Sequence, residues 1–246
     1  MRTLILSFVI VTAALAIMSV PAPASALERP QLDRFATTGD APDILVSPIQ
    51  GPSLTRELTN RATTSWPWYI TRAAGLLAAV SLVFLLLSGI GLITGATFRF
   101  LEPLTAWATH RAIGIVFAVS ALIHILALLF DTFVPFSIAQ VLFPFVSNYR
   151  AVTIWGVHLG SLYVALGIFA LYGTVAIILS SLFWIDKKPH IWKLTHFLSY
   201  LVMTFVFIHA LYLGTDLARG IFRTLWIISG IAVAVAIVIR IQRKRV

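Results

Sequence analysis

The chain of 246 residues is 59% hydrophobic and only 11% charged, with a mean hydropathy of +0.96 and a formal charge of +9. So apolar a chain lacks the polar surface of a soluble globule and reads as an integral membrane protein, whose positive charges sort by membrane side and call for no nucleic acid partner. Cysteine is absent, which excludes disulfides, thiolate zinc sites and cysteine-ligated iron–sulfur clusters and leaves histidine as the strong soft-metal ligand.

Residues 1–26 open with Arg2, run through an apolar stretch from Leu4 to Val20 and end in Ala24-Ser25-Ala26. This is the pattern of a secretory signal peptide cleaved after Ala26, and the stretch is also nearly long enough to remain as an uncleaved helix. Residues 27–65 change to Pro, Thr, Asp and Arg without sustained periodicity. They are too polar to bury a core and are expected to form an extracytoplasmic tail.

Trp66-Pro67-Trp68-Tyr69 supplies an interfacial aromatic belt ahead of five apolar runs, approximately 71–95, 107–130, 152–183, 193–214 and 221–241. None contains Asp or Glu. The third exceeds what bilayer thickness requires and is expected to tilt or protrude. Its glycines at 156, 160, 167 and 173 are expected to permit close helix packing. The fold class that follows is all-α, a membrane bundle of five core helices plus the N-terminal signal peptide or sixth helix.

Loop charges set the expected orientation. With the tail outside, Arg99, Arg111, Lys187, Lys188, Lys193, Arg240, Arg243, Lys244 and Arg245 fall on the cytoplasmic side, against Arg150, Arg219 and Arg223 in the short outer loops and Arg72 at an outer helix end. That asymmetry is the positive-inside pattern and places the C-terminus in the cytoplasm.

Four histidines lie within two of these runs, His110 and His124 in one, His196 and His209 in the other. Intramembrane ionisable groups are costly and mark pathways or cofactors, although a lone His can also simply bond a neighbouring backbone. The two intervals correspond to rises of about 21 Å and about 19–20 Å along a helix. The topology makes both helices run from inside to outside, so His110 meets His196 at an inner level and His124 meets His209 at an outer one. Two sites with two imidazoles each suit bis-histidine iron. The angular match is uneven, because at about 100° per residue the first interval returns to nearly the same face and the second misses by about 140°. The second helix must therefore be locally over- or underwound, or present its two histidines from different sides.

The text Tyr69–Gly75 with Arg72, His110-Arg111, Leu122-Ile-His124, Trp192–His196 and His209–Asp216 resembles the ferric reductase-like transmembrane domain family, which includes NADPH oxidases, ferric reductases and the haem subunit of the methionine sulfoxide reductase system. The resemblance covers about 66–240 and implies a haem domain over 66–246. It further implies two non-covalent b haems, with His110 and His196 as inner and His124 and His209 as outer iron ligands, and Arg72 near the outer haem. Two departures matter. The oxidases carry a further histidine where this chain has Leu128, which puts superoxide production in doubt. Their flavin and nicotinamide domains also have no counterpart before Val246, so no FAD or NAD site is expected here and electrons would come from a separate donor such as a flavoprotein reductase or a quinol.

The implied function is electron transfer across a bacterial cytoplasmic membrane to an extracytoplasmic acceptor, with ferric iron complexes as the leading candidate. An alternative is a haem anchor feeding a separate extracytoplasmic oxidoreductase. A rival of another class is a haem-free proton channel or transporter built on the histidines, against which stands the lack of intramembrane carboxylates. Haem propionates would need cationic or hydrogen-bonding partners. Arg111, Lys193 and Trp192 are candidates at the inner level, and Arg72, Arg150 and Tyr149 at the outer. Any of these can instead be an ordinary interfacial anchor, the favoured reading for a single lysine. Asp131 and Asp216 read as solvated helix-end residues, His158 as bonded to a neighbouring helix, and His190 as solvated. Tyr200, Phe205 and Phe207 read as packing between the levels.

Overall fold

The computed structural model describes residues 65–131, 134–150, 152–154 and 156–243. The expected signal peptide, and the polar tail up to residue 64, lie outside the described residues. Helix α1 spans Trp66–Thr94 and α2 Pro103–Leu128. A short α3, Ile138–Leu142, precedes a two-stranded hairpin of β1 (Thr153–Ile154) and β2 (Val157–His158). Then come α4 (Gly160–Phe183), α5 (Pro189–Phe197), α6 (Ser199–Leu213) and α7 (Gly220–Arg243). Counting α5 and α6 as one, five helices are long and apolar enough to cross a membrane, and the protein is an all-α membrane bundle.

Local sequence punctuation sets the helix ends. Prolines 67, 103 and 189 occupy first-turn positions, where the missing N–H costs nothing. Gly95 closes α1 with φ +73, the left-handed conformation that glycine adopts without a Cβ penalty, and its N–H bonds the Leu92 carbonyl.

The third span is shorter than the sequence suggested. Thr153–Ile154 and Val157–His158 pair as antiparallel strands, with Gly156 at φ +80, and α4 begins only at Gly160. The run 152–159 is apolar enough to extend a hydropathy window without continuing the helix.

The fourth span is broken at Leu198, whose N–H bonds the Thr195 carbonyl in an i→i+3 turn at 3.0 Å. This tight turn is local overwinding, the first of the ways in which the uneven angular match could be relieved.

Packing decides where the site sits. Helix α1 packs most extensively on α2, and α4 on α6, whereas α2 and α6 make no comparable contact with each other. Each histidine-bearing helix is thus backed by a different neighbour and faces the other across a space. The buried core, including Leu82, Leu86, Val202, Met203, Phe207 and Trp226, joins α1, α6 and α7. Lipid gives no hydrophobic drive for helix association, so close fit and hydrogen bonds carry this packing. At its centre Phe207 and Trp226 stack at 5.4 Å while the Trp226 indole N–H donates to the Phe207 carbonyl at 3.2 Å.

Candidate functional site

The four histidines come together in two facing pairs. The ring centroids of His110 and His196 are 6.3 Å apart, and those of His124 and His209 are 6.5 Å apart. Both pairs bridge the space between α2 and α5–α6, so those helices run in the same direction and the levels are separated by about 21 Å along α2.

Hydrogen bonds fix three of the rings. The Nδ1–H of His124 donates to the Thr71 carbonyl at 2.8 Å, and that of His209 to the Tyr163 carbonyl at 2.8 Å. Carbonyl oxygen only accepts, so both rings carry their proton on Nδ1 and leave Nε2 with a free lone pair. Nδ1 of His110 lies 2.9 Å from Ser88 Oγ, and that hydroxyl already donates to the Leu85 carbonyl at 2.9 Å. Ser88 therefore accepts from His110, which gives the same tautomer. Among the described residues His196 Nδ1 is buried without a hydrogen-bond partner.

Glycines make room for the rings. A Cβ at Gly167 would lie 2.7 Å from Cε1 and Nδ1 of His209, one at Gly75 2.9 Å from Nδ1 of His124, and one at Gly89 3.1 Å from Cε1 of His110. Gly75 and Gly89 in α1 repeat the His110-to-His124 interval in reverse order, as two antiparallel helices in register require. That mirrored spacing is legible in the sequence once α1 and α2 are taken as antiparallel neighbours. Ser88 and the carbonyls of Thr71 and Tyr163 carried no such signal. The packing role expected of Gly173 holds, since its Cβ would strike Val202 at 2.6 Å.

The separation of each couple would let two imidazoles bind one metal ion from opposite sides. Metal–imidazole bonds of about 2.0–2.1 Å, with about 1.1 Å more from nitrogen to ring centre on each side, put two axial imidazole centroids about 6.3 Å apart. Among the described residues no cluster of three or more His, Cys, Asp or Glu could hold a metal ion. An apolar cleft is lined by Leu179, Phe183, Trp184 and Leu198, with Ser180 and Thr195, the last being the chain neighbour of His196.

A family profile described as ferric reductase like transmembrane component matches residues 74–207, more than half of the chain. The chain belongs to that family. No similar curated protein and no similar solved structure was found. Ferric reductase-like transmembrane domains bind haem and work with redox partners, and the matched interval contains three of the four paired histidines, His209 lying just beyond it.

The outlying candidates of this ferric reductase-like domain are placed unevenly. Arg72 is engaged by Asp216 through Nε at 2.9 Å and through a second bond from Nη2, and its guanidinium lies 4.0 Å over the Trp68 ring. The bond from Arg72 holds the Asp216 carboxyl below its ordinary range. Asp216 is thus paired, where the sequence suggested simple solvation. Asp131 is buried at 6% exposure, also against the solvated expectation. Arg111, Lys193 and Arg150 are exposed. Trp192 donates to Ser181 Oγ at 3.2 Å, with its ring 5.2 Å from that of His196. Tyr149 is half-buried, and burial pushes its hydroxyl up. His158 pairs at 3.0 Å with Thr153 inside the hairpin and not with a neighbouring helix. His190 is exposed.

Proposed function

We propose that this chain holds two non-covalent b haems and passes electrons across a bacterial cytoplasmic membrane, from a cytoplasmic-side donor to an extracytoplasmic acceptor. The observation that carries the proposal is the pair of imidazole couples at matched separations of 6.3 and 6.5 Å. His110 and His196 would hold the inner group, His124 and His209 the outer one. A bis-histidine b haem supplies a one-electron couple with no open coordination position, which suits outer-sphere transfer.

The protein's own part is positional. Thr71, Tyr163 and Ser88 hold three imidazoles with Nε2 presented to the space between the helices, and Gly75, Gly89 and Gly167 let those rings lie against α1 and α4. Such outer contacts fix ring orientation and raise ligand basicity. Arg111 and Lys193 at the inner face, and Arg72 and Arg150 at the outer, are candidate cations for propionates, Arg72 at the expense of its bond to Asp216. The basic loop at Lys187 and Lys188 would dock an acidic donor such as a flavoprotein reductase, while a quinol would arrive through the bilayer.

A ferric complex is the leading acceptor class, with a separate extracytoplasmic oxidoreductase as the alternative. Of the two helix-end carboxylates, Asp216 is committed to Arg72 and Asp131 is buried, so neither is assigned a role in holding iron.

The test is electron transfer through a sealed membrane. Liposomes holding the purified protein and trapped ferricyanide are treated externally with dithionite. Bleaching of the trapped oxidant is expected, and its loss in both His110→Ala and His209→Ala. Bleaching no faster than in protein-free liposomes would overturn the proposal. Collapse of a pH gradient by haem-free protein would support the proton-channel alternative.

A further inference from the structure

The segment between α2 and the β1–β2 hairpin belongs to an extramembranous loop by its place in the chain, yet its contacts lie deep. The Tyr172 hydroxyl donates to the Leu142 carbonyl, and the Phe145 ring lies 6.0 Å from that of Phe169. Tyr172 is about 18 Å and Phe169 about 13 Å along α4 from Gly160, so Tyr172 sits at the middle of a helix that spans Gly160–Phe183. Two cross-contacts give the same depth. Phe169 meets Phe205 at 6.2 Å, and Gly173 abuts Val202. Phe205 and Val202 both lie between the levels of His196 and His209.

The composition agrees with immersion. No Asp, Glu, Lys, Arg or His occurs between Asp131 and Arg150. Ile138, Phe143, Phe145 and Val146 are 66%, 58%, 61% and 47% exposed, an apolar face that water would penalise and acyl chains would not. Non-helical backbone at membrane depth must have its polar groups satisfied by protein. Here α3 carries a complete capping box between Ser137 and Gln140, and the Leu142 carbonyl at its C-terminal end takes its bond from Tyr172. Phe145, with φ +66, turns the chain back in a conformation that non-glycine residues rarely adopt.

We propose that residues 134–147 form a re-entrant segment, inserted beside α4 to the depth between the two histidine levels, and that lipid acyl chains cover its exposed apolar face. The inference needs only the spanning helices and is independent of haem. The segment would close the lipid side of α4 at the level of Phe169 and Phe205.

The absence of native cysteine makes the test direct. Leu142→Cys, Phe143→Cys and Val146→Cys are made singly in the full chain, with Val157→Cys in the hairpin as the exposed reference. Each is reconstituted in phosphatidylcholine vesicles and treated with a membrane-impermeant maleimide on both faces, then labelled with bimane and quenched by lipids with doxyl groups at mid-chain. Maleimide labelling at the three segment positions is expected to be slower than at Val157→Cys by on the order of tenfold or more, with strong doxyl quenching. Labelling as fast as at Val157→Cys would overturn insertion. Slow labelling without doxyl quenching would mean that protein, either a second copy or a partner, covers the face, and would overturn the lipid assignment. Phe143 and Val146 are exposed to over 45%, so their replacement removes little internal packing and those variants remain informative if Leu142→Cys fails to fold.

Discussion

Gly167→Ala tests how tightly the bundle is built around its histidines. The new Cβ would lie 2.7 Å from two atoms of the His209 ring, about 1 Å inside the usual 3.5–4.0 Å contact. The ring cannot simply yield, because its Nδ1–H is bonded at 2.8 Å to Tyr163, on the same helix as the substitution. Swinging the ring away sacrifices that bond, about 1 kcal/mol, and parting α4 from α6 costs about 1–3 kcal/mol as overpacking. Alanine returns up to about 1 kcal/mol in helix propensity, so the fold survives while the imidazole is displaced. A net penalty of about 1–3 kcal/mol at one level corresponds to cofactor retention weaker by about 5- to 150-fold. The assay is the haem-to-protein ratio of detergent-purified variant, which is expected to fall from about two toward one. Gly89→Ala, whose Cβ would lie at 3.1 Å from His110, is expected to lose far less. Full haem content with an unchanged spectrum in Gly167→Ala would refute the reasoning.

His124→Ala and His209→Ala are each expected to abolish one haem and leave the other reducible, and unchanged stoichiometry in both would sink the ligand assignment. Asp216→Asn tests the outer ion pair: because Arg72 depresses the folded carboxyl below the unfolded value of 3.8, the pair stabilises the fold above that value and the benefit is lost as pH falls through the folded one. With side chains 31% and 19% exposed, the pair is worth about 0.5–1 kcal/mol. The variant should melt below wild type in a detergent thermal-shift assay at pH 7 and converge with it in acid. Trp226→Ala removes a 5%-exposed ring stacked on Phe207 and is expected to cost about 3 kcal/mol, seen as a lower melting temperature with haem stoichiometry retained.

The parts of this molecule visible in its sequence are those governed by one-dimensional spacing. Apolar runs gave the spans, and the His110–His124 and His196–His209 intervals gave two matched levels. Features governed by a turn or a partner were not visible. The i→i+3 turn at Leu198 has no proline or glycine to announce it, and residues 153–158 are apolar enough to pass for helix until Gly156 reverses the chain. The Arg72–Asp216 pair joins residues remote in sequence. Leu142 and Phe145 lie in a segment that only its contacts with Tyr172 and Phe169 draw into the bundle. Gly75 and Gly89 are intermediate, since their spacing repeats that of the histidines and acquires meaning once α1 is seen to back α2.

The central claim, that facing histidine pairs hold two haems, is tested most directly by a pyridine haemochrome assay with a reduced-minus-oxidised spectrum on protein expressed with ample haem. About two b haems per chain with a low-spin bis-imidazole spectrum are expected. Protein that is folded and monodisperse yet carries no haem would contradict the claim.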